Sequence, residues 1–242
     1  MSIYLARQKS AGALPQTRLA IKPVLLAAAC MAAYQVLFFA GVARTGVAVG
    51  TIVGIGSSPV LAGILGYIVR RERTGWHWGL ATLLAIAGCA LLALAGGEIE
   101  VDPIGLLLAV GAGGAYATFS LASKGLLEQQ PVEKVMAVVF SLGAVILSPL
   151  LLTQDLSWLR EPSGVWAILH LGLLATALAY ILFGLGLHLT PVATAVTLSL
   201  AEPLTAGILG VTLLQERLTL PAGLGIALIF FGLVILSLRN PD

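Results

Sequence analysis

Eight stretches of this chain run for about twenty residues each with almost no charge. At about 1.5 Å of rise per residue, a helix of that length crosses the roughly 30 Å hydrocarbon core of a bilayer. The stretches cover residues 23–43, 46–69, 77–96, 104–125, 134–153, 164–187, 191–213 and 219–238. Each is apolar throughout, whereas a barrel strand alternates over about ten residues. Helices are therefore expected, with kinks where Pro59 and Pro203 interrupt the second and seventh. Composition removes the water-facing alternative, because only 10% of residues are charged against about 25% in soluble domains. The expected fold class is an all-α polytopic membrane protein with eight transmembrane helices.

Basic residues set the orientation. With the N-terminus in the cytoplasm, the inside loops carry Arg7, Lys9, Arg18, Lys22, Arg70, Arg71, Arg73, Lys124, Lys134 and Arg239. The outside loops carry Arg44, Arg160 and Arg217, and also the acidic run of Glu98, Glu100 and Asp102. This positive-inside bias places both termini in the cytoplasm and the chain in the cytoplasmic (inner) membrane. Residues 1–22 are basic and lack an apolar core, so they read as a cytoplasmic segment and not as a cleavable signal. The net charge of +2 is too small to attract nucleic acid. Cys30 and Cys89 have no second thiol or histidine at ligand spacing and read as apolar core residues.

The sequence also repeats itself. Residues 59–73 read PVLAGILGYIVRRER and residues 203–217 read PLTAGILGVTLLQER, identical at eight of fifteen positions at an offset of 144. The match runs forward through Gly79/Gly223, Leu80/Leu224 and Gly88/Gly232. It runs backward, after one gap, through Thr45/Thr190, Val47/Val192 and Ala48/Ala193. In the expected topology, 46–69 runs outside to inside and 191–213 runs inside to outside. Two inverted units of this kind are the pattern of alternating-access transporters with a site at mid-membrane. The chain divides into a cytoplasmic segment (1–22), a first unit of three helices (23–96) and a second unit of five (104–238). The shortfall predicts about sixty further residues with two apolar segments upstream, matching the part of the second unit (104–163) that the first lacks.

The blocks TGVAVGTIVGIGSSPVLAGILGYIVRRER and LTPVATAVTLSLAEPLTAGILGVTLLQERL resemble the EamA-type transporters of the drug/metabolite transporter superfamily. Matched to the third through tenth helices of that ten-helix, 5+5 inverted-repeat family, the chain appears as an incomplete inverted-repeat bundle. The resemblance implies secondary transport, often export, of amino acids, related metabolites or drugs. The expected partners are a small-molecule substrate and the lipid bilayer, with a homodimer left open. The alternative function is a non-transporting membrane subunit or a truncated pseudo-transporter. No HExxH, no GxSxG and no carboxylate pair at one depth is present, so no enzyme, metal or cofactor is expected.

Glu202 is the one acidic residue near the middle of an apolar stretch. A carboxylate at the bilayer centre costs about 2.5–3.5 kcal/mol on insertion scales, which makes it a functional candidate. Pro203 removes an N–H, so the Ser199 carbonyl is expected to lose its helical partner, and a protonated Glu202 could donate to it. The structural reading is thus a neutral acid at a kink, and the functional one is a site for a proton or a substrate ammonium. Its counterpart is Ser58, where Ser58→Ala is expected to do little. Tyr34, Gln35, Tyr116 and Tyr180 are further candidates to line a cavity, and Thr194 and Thr197 can share a face of the Glu202 helix. His170 falls near a helix end. Glu72 and Glu216, each beside an arginine at a helix end, read as structural. Gly46, Gly50 and Gly54 form a G-x3-G-x3-G line suited to close helix packing, not to a phosphate loop.

Overall fold

The computed structural model describes residues 19–94, 102–213 and 219–238. Among these, every regular element is helical. Seven helices are long and apolar enough to cross a membrane, and one is shorter. They are α1 (Ile21–Val47), α2 (Val49–Arg70), α3 (Trp76–Leu94), α4 (Pro103–Leu127), α5 (Val132–Leu147), α6 (Pro162–Leu189), α7 in two halves (Val192–Leu198 and Ala201–Thr212) and α8 (Leu220–Ser237). All eight expected spans are therefore helices. A 3-10 turn, Ser148–Thr153, extends α5.

α1 and α2 are joined through a turn centred on one residue. Gly46 takes φ 77° and ψ 162°, a left-handed conformation that costs glycine nothing and a residue with a Cβ a good deal. Gly46 thus belongs to the turn and not to a packing line inside α2. Gly50 and Gly54 do pack closely. A Cβ on Gly50 would lie 2.8 Å from Val42 Cα, and one on Gly54 would lie 3.2 Å from the Phe38 ring. The chain folds back on itself there in the register Val42/Gly50, Phe38/Gly54.

α4 lies along this hairpin. A Cβ on Gly41 would sit 3.1 Å from Gly105 O and from Ala109 N, and one on Gly113 would sit 2.8 Å from Gly54 O. Small residues thus bring three backbones together where lipid offers no hydrophobic drive. Asp102 starts α4 by accepting the Ile104 N–H at 2.9 Å, with Pro103 in the first turn. α3 and α8 pair in the same manner. A Cβ on Gly225 would lie 2.7 Å from Gly88 O, and one on Gly232 would lie 2.8 Å from Ala81 O.

The main core draws Ala27, Ala28 and Met31 of α1, Phe119 of α4, Val135 and Val139 of α5, Leu187 of α6 and Val196 of α7 into one cluster. α6 is the least embedded span, with 6% of its most apolar window buried against 39% in α2 and α4. Its middle, His170–Leu178, is π-helical, so the helix is wider and underwound locally just ahead of Tyr180. The two prolines behave differently. Helical backbone runs unbroken through Pro59, whose ring is fully buried. α7 tightens into a 3-10-like turn at Ser199–Leu200, ahead of Pro203, with both residues still in right-handed helical conformation.

Candidate functional site

The tightened turn in α7 positions the site. The Ser199 carbonyl, expected to be left without a partner by Pro203, accepts the Glu202 N–H at 3.0 Å. A tighter i to i+3 bond replaces the lost i to i+4 bond. The carbonyl therefore needs nothing from the Glu202 side chain, which stands in the first turn of the second half-helix. It faces a small cleft lined by Tyr34 (α1), Ile55 and Ser58 (α2), Tyr116 (α4), Tyr180 (α6), Val196, Ser199 and Glu202 (α7). Five helices meet there.

The tyrosines are braced by other rings. The Tyr34 and Tyr116 centroids are 5.3 Å apart. Tyr180 lies 4.5 Å from Phe140 and 6.1 Å from Phe183, and Phe183 in turn lies 6.0 Å from Tyr116. Phe119, fully buried, is 5.9 Å from Tyr116 and 6.0 Å from Tyr180. Tilted and edge-on contacts of this kind hold each ring in place. The Tyr116 hydroxyl meets Ser199 Oγ at 3.5 Å. Ser58 Oγ donates to Gly54 O at 2.8 Å, within its own helix.

Of the residues singled out in the sequence, Tyr34, Tyr116, Tyr180 and Glu202 come together here. Gln35, Thr194 and Thr197 do not line the cleft. Thr197 is fully buried, accepts the Trp78 indole N–H at 3.0 Å and meets Thr82 Oγ1 at 3.2 Å. It ties α7 to α3. His170 opens the π-helical stretch and is exposed. Ile55, Ser58, Val196 and Ser199 add to the sequence candidates. The repeat carries a signal for them: Ile55 and Ser199, and likewise Ser58 and Glu202, stand 144 residues apart. Ser58 thus shares the cleft with Glu202, and a substitution there is not independent of the site.

Away from the cleft, Glu72 anchors a polar cluster. Its Oε2 accepts the Val192 N–H at 2.8 Å, starting the first half of α7, which has no side-chain cap of its own. Its Oε1 pairs with Arg70 Nε at 3.2 Å and Lys124 Nζ at 3.7 Å. Arg70 also pairs with Glu128, and Lys124 donates to the Thr190 carbonyl. Glu216 lies outside the described residues. Among the described residues no group of His, Cys, Asp and Glu is arranged to hold a metal.

Relatives share this chain's pattern. The uncharacterized transporter YwfM of Bacillus subtilis is 48% identical over 214 residues, which is 88% of this chain and 72% of that protein. The uncharacterized inner membrane transporter YicL of Salmonella typhimurium is 26% identical over 85% of this chain and 69% of its own length. A probable terminal-alkyne amino-acid exporter of Streptantibioticus cattleyicolor is 26% identical over 89% of this chain and 72% of that protein. A protein of known crystal structure has the same fold, with a TM-score of 0.80 at 20% identity over 98% of this chain and 84% of that one. The EamA-like transporter family matches residues 1–94 and 103–238. With apolar helices throughout and the family matched along nearly its whole length, this chain is an integral membrane protein that belongs to the EamA-like transporter family.

Proposed function

We propose that this protein is a secondary transporter of the cytoplasmic membrane that exports a small metabolite by alternating access. Its substrate site is the cleft of Tyr34, Tyr116, Tyr180 and Glu202. The observation that carries this reading is the convergence of five helices on one carboxylate at a tightened helical turn. Discontinuous helices frame the sites of many secondary transporters, and here the tightened turn at Ser199–Leu200 sets the Glu202 side chain at the cleft. Two residues of each repeat copy, 144 apart, face the same space, which supports a site between two inverted units, 23–96 and 104–238. The family and the names of the relatives point to transport and away from an enzyme. One relative's name, an amino-acid exporter, makes amino acids and related amines the first compounds to try.

Glu202 acts in this reading as the ionisable group whose charge is met by a proton or by substrate. Glu202→Gln keeps shape and hydrogen-bonding capacity and removes the charge. Counterflow of amino acids and amines in proteoliposomes is expected to collapse in the variant, with membrane level unchanged by quantitative blot. Wild-type transport by the Gln variant would remove Glu202 from the mechanism. The alternative, a membrane subunit or pseudo-transporter that carries nothing, predicts no vectorial movement of any compound in the wild type.

A further inference from the structure

We infer that the cleft selects a monovalent organic cation, an amine or ammonium compound without a carboxylate, and discriminates against zwitterionic amino acids. The inference rests on the reading of the cleft as the substrate site. It names the chemistry of what enters.

Among the described residues, the lining holds one acidic side chain and no basic one. Cations at the helix ends are engaged there: Lys124 on Glu72 and the Thr190 carbonyl, Arg70 on Glu72 and Glu128, and Arg44 on Asp102. A zwitterion would bring its own carboxylate beside Glu202 with no positive side chain to receive it. The lining serines compensate poorly. Ser58 donates within its own helix, and Ser199 shares its hydroxyl between the Ala195 carbonyl at 3.4 Å and Tyr116. A buried anion without such partners is costly.

The remaining surface suits a cation. Three tyrosines line the space, and an aromatic face attracts an ammonium through the ring quadrupole, most strongly where water is excluded. The rings are held from behind by Phe119, Phe140 and Phe183, so little rotamer freedom is lost when a ligand arrives. A neutral ligand gives the Glu202 carboxylate no ion partner, whereas a single positive charge pairs with it.

The test compares four compounds with the same ring and nearly the same chain: phenethylamine, phenylalanine, 3-phenylpropionate and 2-phenylethanol. Radiolabelled phenethylamine is bound to the purified protein in detergent micelles and displaced by each. Phenethylamine is expected to displace the label at least tenfold more strongly than phenylalanine or 2-phenylethanol, with no displacement by 3-phenylpropionate. Glu202→Gln is expected to erase the preference for phenethylamine over 2-phenylethanol. Tyr180→Phe keeps the ring face and should retain that preference, while Tyr180→Leu should reduce it, each checked for a monodisperse elution profile. Equal or stronger displacement by phenylalanine overturns the proposal, as does the absence of saturable phenethylamine binding. If a zwitterion is then transported in a Glu202-dependent way, the transporter reading stands and the cation selectivity alone has failed.

Discussion

The Glu72 carboxylate accepts the backbone N–H of Val192 at 2.8 Å across 120 positions of sequence. One side chain at the end of α2 thus starts a helix in the other half of the chain and also receives Lys124. Glu72→Ala leaves that N–H and a largely buried ammonium without their acceptor. The loss expected is about 1–3 kcal/mol, read as a lower thermal midpoint in detergent. Glu72→Gln keeps an acceptor for Val192 and loses only the charge, so it should fall between alanine and wild type. Equal midpoints for all three proteins would show that the cluster does not stabilise the fold.

The α3–α8 contact predicts a sharp contrast between two glycines. Gly88 and Gly225 face each other backbone to backbone, so a methyl on either strikes main-chain atoms that cannot rotate away. Gly88→Ala or Gly225→Ala should cost about 1–3 kcal/mol by overpacking. Gly79→Ala, on the same helix with nothing within 4 Å of the new methyl, should be neutral or slightly stabilising. Thermal midpoints of the three variants decide the matter. A similar loss at Gly79 would mean that the close approach is not what makes a methyl costly in α3.

Asp102 carries a pH dependence. The Ile104 N–H, and after it the Arg44 guanidinium, hold its carboxyl below the usual carboxylate range. A depressed folded-state value contributes stability at neutral pH, which is lost as pH falls through that value. The difference in thermal midpoint between wild type and Asp102→Ala should therefore be largest at neutral pH and shrink towards about pH 3. A difference that stays constant with pH would mean that the side chain acts without its charge.

Orientation follows from the basic residues. A fluorescent protein fused after Asp242 should be bright, because the C-terminus is expected in the cytoplasm with ten of thirteen basic residues. Alkaline phosphatase inserted at 98–102 should be active, because that loop is expected outside. The opposite pair of results would reverse the orientation. A periplasmic C-terminus together with an outside 98–102 loop would instead change the number of crossings and undo the inversion of the repeats.

The helices were legible because a bilayer demands long apolar runs, and nothing else in the chain competes with that signal. The turn at Gly46 was not. One residue with positive φ leaves no mark in composition, and the G-x3-G-x3-G spacing suggested packing where the first glycine is a reversal. Glu202 and the three tyrosines stood out because polar atoms are conspicuous in greasy helices. Ser199 and Val196 did not, since their types occur throughout such helices. Thr197 lay on a plausible face, yet the Trp78 indole of another helix had claimed its hydroxyl. Periodicity within one helix shows which residues share a side. It does not show what packs against that side.

The Gly46 reversal has a mechanical consequence for the cleft. Tyr34 and Ser58 are equidistant from it along the chain, and both line the cleft. Each sits at the end of a rigid helical arm about 18 Å long, so α1 and α2 act as a pair of calipers with one glycine as their pivot. A change of about ten degrees in the opening angle would shift one tip by about 3 Å relative to the other, close to the thickness of an aromatic ring. The gauge of the opening therefore depends on the Gly46 reversal together with the Val42/Gly50 and Phe38/Gly54 contacts beside it.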